Sequence, residues 1–92
     1  MSGTKKTAGE TIRKEIKPET IESFNKVQTL IARVRRKEAI IVDFDGVPAA
    51  TAKRLLDYLS GAMFALNGAV NRLEEKQYIL IPKGVKVTER TE

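Results

Sequence analysis

The sequence contains no cysteine and no histidine among its 92 residues. Those two absences remove thiol nucleophiles, disulfides, histidine general bases and nearly every zinc or haem ligand set together. Absence of cysteine also fits a reducing compartment. Tryptophan is missing too, and three Phe and two Tyr are the only aromatics, with no aromatic-rich strand of the kind on which RNA-recognition folds stack bases. No apolar run approaches the roughly 20 residues needed to cross a bilayer, and "MSGTKKTAGETIRKEIK" lacks the apolar stretch of roughly 7 to 15 residues that marks a signal peptide. The chain is expected to be cytoplasmic.

What remains is 41% hydrophobic, 32% charged and carries a net charge of +5. That is enough apolar material for one small domain and not for two. Residues 1–10 are small and polar without periodicity and are expected to be a mobile tail; residues 11–92 are expected to form the single domain. The positive charge is unevenly placed: residues 1–38 hold ten Lys/Arg against five Asp/Glu, and the rest hold seven of each. A basic arm of this kind can attract phosphate-rich partners, whether nucleic acid or anionic lipid. Arg33, Arg35, Arg36 and Lys37, however, close a predicted helix, where cations complement the macrodipole.

Period and punctuation set out the elements. "TIRKEI" has at most the pattern of a short edge strand. From Pro18, the recurrence of Ile21, Phe24, Val27, Ile31 and Val34, with Leu30 beside them, predicts a helix that Pro18 opens and Glu19 and Glu22 favour near its positive end. "AIIVDF" reads as a buried strand stopped by Asp45-Gly46. A second helix follows, with Pro48 in its first turn and Asn67-Gly68 as its stop. "AVNRL" and "YILIP" flank a hairpin turn at Glu74 to Gln77, and Pro82-Lys83-Gly84 leads into a last strand, "VKV". The predicted architecture is α+β: a compact two-layer α/β sandwich with two helices on a mixed sheet of four to five strands.

The second helix, "AKRLLDYLSGAMFALNG", carries more apolar surface than one sheet can cover. Leu55, Leu56, Leu59, Met63 and Leu66 form the sheet-facing stripe. Beside it lies a second sector of Arg54, Tyr58, Gly61, Ala62 and Ala65. A mid-helix glycine costs about 1 kcal/mol relative to alanine, and Gly61 and Ala65 four residues apart permit close approach of another helix. That helix is either the first helix of this chain or a helix of a second copy. On the remaining face, Lys53, Asp57 and Ser60 flank Phe64, an aromatic suited to anchoring a peptide. Both sheet faces carry Ile or Leu as well, so a sheet covered on one side is expected to expose apolar residues and to form a further interface.

"AKRLLDYLSGAMFALNGAVNRL" followed by "YILIPKGVKV" resembles the core domain of SepF, the cell-division protein of bacteria and archaea, over about residues 37–87. The most specific part is Ala52 to Gly61. The resemblance implies a non-enzymatic, self-associating adaptor that binds the C-terminal tail of the tubulin-like FtsZ and links the division ring to the membrane during septum formation, at the inner face of the cell membrane. It places Lys53, Arg54, Asp57 and Tyr58 near the tail groove and Gly61 in a helix-helix contact for self-association; the wheel adds Phe64 as a neighbouring anchor and Tyr58, Ala62 and Ala65 as the neighbours of Gly61 in that contact. It implies no cofactor, no metal and no catalytic residue. Members usually open with an amphipathic helix at the lipid interface, whereas residues 1–17 here offer only Ile12 and Ile16 beyond Met1 and Ala8. Membrane contact is therefore expected only indirectly or through a segment this sequence does not contain.

Two other readings start from different residues. "AIIVDFDGV" resembles the first motif of haloacid-dehalogenase-like phosphatases, with Asp43 as nucleophile, Asp45 as acid/base and the motif helping to hold magnesium. The rest of such a site needs a Ser/Thr, a Lys and an acidic pair, and the acidic pair that follows here, Glu74-Glu75, falls in a predicted turn. An Asp45-Gly46 turn is the simpler account. The basic first half suggests a nucleic-acid-binding module instead, with the scarcity of aromatics against it.

Overall fold

The computed structural model describes residues 10–88, so the tail expected over residues 1–10 lies, apart from Glu10, outside the described residues. Those residues form β1 (Glu10–Ile12), a 3-10 turn (Arg13–Glu15), β2 (Glu19–Thr20), α1 (Phe24–Arg35), β3 (Ile40–Asp43), α2 (Ala49–Ala65), β4 (Ala69–Glu74), β5 (Gln77–Ile81) and β6 (Lys86–Thr88). Four strands make a mixed sheet in the order β2-β3-β5-β4, with β2 parallel to β3 and the other pairs antiparallel. The remaining two, β1 and β6, form a separate parallel ribbon. The predicted sandwich of two helices on a mixed sheet is therefore present, with four strands in its sheet.

The first helix begins later than its apolar period suggests. Pro18 leads into extended chain, Glu19 and Thr20 pair with Val42 and Asp43, and Ile21 donates its N–H to the Asp43 carbonyl at 3.1 Å. Ile21, fully buried, thus belongs to the strand side of the core. Ser23 then caps α1, its Oγ accepting the Lys26 N–H at 3.3 Å. Glu19, read from sequence as a first-turn acid, instead reaches across to Arg33, which grips it through both guanidinium NH2 groups at 2.9 and 2.6 Å.

Both helices stop by the same device. At the end of α2, Asn67 has φ 62°, and the N–H groups of Asn67 and Gly68 donate to the Phe64 and Met63 carbonyls, which is the Schellman pattern. At the end of α1, Lys37 takes φ 69°, and Lys37 and Glu38 donate to Val34 and Arg33. Gly68 is required for space as well: a Cβ there would lie 2.6 Å from Met63 Cε and 2.7 Å from the Ile81 carbonyl oxygen.

The core lies between the helices and one sheet face. Val27, Leu30 and Val34 of α1 and Leu55, Leu59 and Met63 of α2 close on Ile40, Val42 and Leu80, with Ile21 and Phe44 at the margins. Leu56 and Leu66 pack at its edge, so the predicted leucine stripe is the buried face. On the opposite sheet face, Ile41 and Ile79 are partners across β3 and β5 and are each only 3% exposed. The expectation of exposed isoleucine there is corrected: these two side chains are buried within one chain.

Candidate peptide-docking and self-association surfaces

α1 and α2 run in the same direction over the sheet. The first residues of α1 share a groove with Thr51, Arg54, Leu55 and Tyr58 of α2, and the last residues of α1 share a cleft with Leu66. α2 is therefore flanked by different neighbours on its two sides.

On one side, α2 faces the loop after β3 and the β4-β5 hairpin across a groove of about 420 Å³. Phe44, Val47, Leu56 and Tyr78 are its apolar lining, and Lys53, Arg72, Lys76 and Glu75 its charged lining. Tyr78 meets Phe44 edge to face at 6.1 Å. Lys53 pairs with Asp57 at 3.7 Å and Lys76 with Asp45 at 3.9 Å, both highly exposed and therefore worth little to stability. On the other side, Phe24, Arg54, Leu55 and Tyr58 line a groove of about 530 Å³ between the helix amino ends. Phe24 and Tyr58, 48% and 39% exposed, stack edge to face at 4.6 Å.

The four side chains placed by resemblance near a peptide site, with Phe64 from the helical wheel, thus divide between two surfaces. Lys53, Asp57 and Phe64 follow one edge of α2 at helical spacing, beside the first groove. Arg54 and Tyr58 face the second. Phe64 is 84% exposed and lines neither. Most of the first groove was not on that list, because Phe44, Arg72, Lys76 and Tyr78 meet α2 only through the β3-β5-β4 register.

Gly61 and its small neighbours do not pack on the first helix of this chain among the described residues. A Cβ built on it meets no atom within 4 Å, and Gly61 and Ala65 are exposed while Ala62 is half-buried. The first helix of this chain does not use the approach that Gly61 permits.

Asp43 and Asp45 serve a turn. Asp43 accepts the Asp45 N–H at 2.8 Å through one oxygen and Gln77 Nε2 at 3.0 Å through the other, and these bonds hold its carboxyl below the usual range, that from Gln77 most strongly. Asp45 is 82% exposed at its side chain. Among the described residues no group of three acidic side chains gathers to hold a metal ion.

Residues 16–87 match the profile of the family described as "Cell division protein SepF". The chain belongs to the SepF family. Curated SepF proteins similar to it include those of Lactiplantibacillus plantarum, 29% identical over 68 residues, and Caldanaerobacter subterraneus, 31% identical over 67 residues, which cover 74% and 73% of this chain. The chain spans about half the length of these relatives, 49% and 50% respectively. A solved SepF-like protein from Archaeoglobus fulgidus has the same fold, with a TM-score of 0.65 at 18% identity over 90% of this chain and 96% of that one. SepF membership places the chain among cell division proteins. In SepF terms, the Ala52 to Gly61 segment that carries the resemblance is the stretch of α2 running between the two grooves.

Proposed function

We propose that the chain is a non-enzymatic division adaptor that self-associates through the exposed face of α2, binds the C-terminal tail of FtsZ, and so links the division ring to the membrane. The observation that carries this reading is the open face at Gly61. A residue costing about 1 kcal/mol in a helix has no compensating contact among the described residues, which favours a helix from a second copy as its partner. Tyr58, Ala62 and Ala65 are the neighbours such a contact would use, with the Phe24–Tyr58 pair at its rim.

The groove beside Lys53 is the better match for the tail. Its apolar lining suits a buried side-chain anchor, while Lys53, Arg72 and Lys76 suit a peptide bearing acidic residues. A peptide leaving that groove along α2 passes Asp57 and reaches Phe64. Arg54 and Tyr58 belong to the self-association side in this reading. Residues 11–92 act as one domain, and no cofactor, metal or nucleic acid takes part.

Titration of a labelled FtsZ C-terminal peptide by fluorescence anisotropy tests the adaptor role. Saturable binding is expected, weakened about tenfold or more in Lys53→Glu/Lys76→Glu by loss and reversal of two charges. No anisotropy change at high micromolar protein would overturn the tail-binding role.

A further inference from the structure

At the carboxyl ends of the two helices lies a cleft of about 230 Å³ with an apolar floor and a cationic rim. Val34 and Pro82, both buried, and half-buried Leu66 form the floor. Arg35, Lys37 and Lys83 form the rim, Arg36 lies between the first two in sequence, and all four cations are exposed. Lys37 Nζ donates to the Lys83 carbonyl at 3.1 Å, which ties the end of α1 to the turn before β6. Among the described residues no acid lines the cleft. The nearest in sequence, Glu38, is held by Arg33 at 3.0 and 2.6 Å.

Local structure asks for fewer cations than this pole holds. Each helix carboxyl end is equivalent to about half a negative charge, so two ends offset about one of the four cations and roughly three remain uncompensated. Lys37 also stands at a φ of 69°, where glycine would be less strained. The cleft is separate from the groove beside Lys53, which takes Ala49, Ala52, Lys53 and Leu56 from the first half of α2, whereas the cleft takes Leu66 at its end.

We infer that this pole docks a carboxylate-rich segment of a partner protein, with one aliphatic side chain of that segment in the cleft. Charge complementarity selects an anionic partner, and shape and backbone select its kind. The apolar floor is recessed below exposed cations, so a single side chain can enter it while a broad surface meets only the rim. Helix carboxyl ends present carbonyls and no free N–H groups. A peptide brings N–H donors to those carbonyls and carboxylates to the cations. A phosphodiester backbone brings acceptors alone, and no aromatic lines the cleft on which a base could stack.

The groove beside Lys53 also suits acidic residues, so the test uses the full chain carrying Lys53→Glu/Lys76→Glu. A short labelled peptide alternating Glu and Leu is titrated by fluorescence anisotropy at low and raised salt. Saturable, salt-sensitive binding is expected, weakened at least about tenfold when Arg35→Gln/Lys37→Gln/Lys83→Gln is added. The charge-matched addition of Lys17→Gln/Lys26→Gln/Arg72→Gln should weaken it much less. A peptide of Glu alone leaves the floor unfilled and should bind about tenfold more weakly. Arg35→Gln/Arg36→Gln spares the bond from Lys37 to Lys83 and should still weaken binding about threefold, a loss that does not depend on that tie. Equal loss in the pole and charge-matched variants, or equal affinity for the two peptides, overturns the proposal. Tighter binding of a mixed-sequence oligonucleotide or of phosphatidylglycerol vesicles, abolished by the same pole substitutions, overturns it too. The FtsZ-tail titration keeps the adaptor reading apart: a wild type that binds the tail while the Glu-Leu peptide fails to bind sinks this site alone, and the reverse sinks tail binding alone.

Discussion

Replacing Gly61 with alanine should move folding and assembly in opposite directions. In the monomer the added methyl meets no atom within 4 Å, so the substitution recovers only helix propensity, about 1 kcal/mol. For a domain of this size that raises the melting temperature by roughly 4 to 8 °C. At an interface where two backbones approach across this position, the same methyl overpacks. A two-fold contact inserts it twice, at about 1 to 3 kcal/mol each, so association weakens by at least about thirtyfold. Urea unfolding followed by circular dichroism, at dilutions where the protein is monomeric, measures the first effect, and sedimentation equilibrium measures the second. Absence of any gain in stability would show that Gly61 is not open in the monomer. A gain accompanied by an unchanged association constant would refute the assignment of this face to self-association.

Other substitutions test the framework that holds these surfaces. Gly68→Ala, where the new Cβ would crowd the fixed Ile81 carbonyl, should cost about 1 to 3 kcal/mol, read as a lower urea midpoint at unchanged slope. Ser23→Ala removes the cap on α1 and should cost about 0.5 to 1 kcal/mol, with loss of helical ellipticity confined to premelting. Arg33→Met breaks the partly buried link to Glu19 and the more exposed one to Glu38 and should cost about 1 to 2 kcal/mol near neutral pH. Hydrogen bonds from Arg33 hold both carboxylates below their ordinary 4.5. The stability they supply is complete above 4.5 and is lost as pH falls through the depressed values. The gap between wild type and Arg33→Met should therefore narrow below 4.5, and a gap independent of pH would contradict the assignment.

The order of elements was legible because period and punctuation agree along most of the chain. Asn67-Gly68 stops α2 as its residue types suggest, and β3, with Ile40, Ile41 and Val42 all buried, is the buried internal strand that "AIIVDF" describes. Pro18 misled because its fixed φ serves extended chain as well as a helix start. A two-residue strand has no period of its own, so Glu19 and Thr20 are recognisable only beside Val42 and Asp43. The far sheet face failed for a related reason. Alternation shows that Ile41 and Ile79 point away from the helices, but whether that face is covered depends on tertiary packing that alternation does not describe. The small-residue sector at Gly61 was visible on a helical wheel, and the structure supplied what the wheel could not, the absence of a neighbour. The groove beside Lys53 was half visible, since α2 contributes one wall and a strand register contributes the other.

The β1-β6 ribbon joins the first described strand to the last, Glu10 to Lys86 and Ile12 to Thr88. Nearly the whole chain must be present before either strand has a partner. A nascent polypeptide emerging from the ribosome can assemble the helical layer while β1 waits unpaired, and closing so long a loop makes this clasp a late event. Removing β1 or β6 leaves the other strand without the partner it has in the intact domain. A chain trimmed of just one of the two would accordingly present an unpaired strand edge that the intact domain does not.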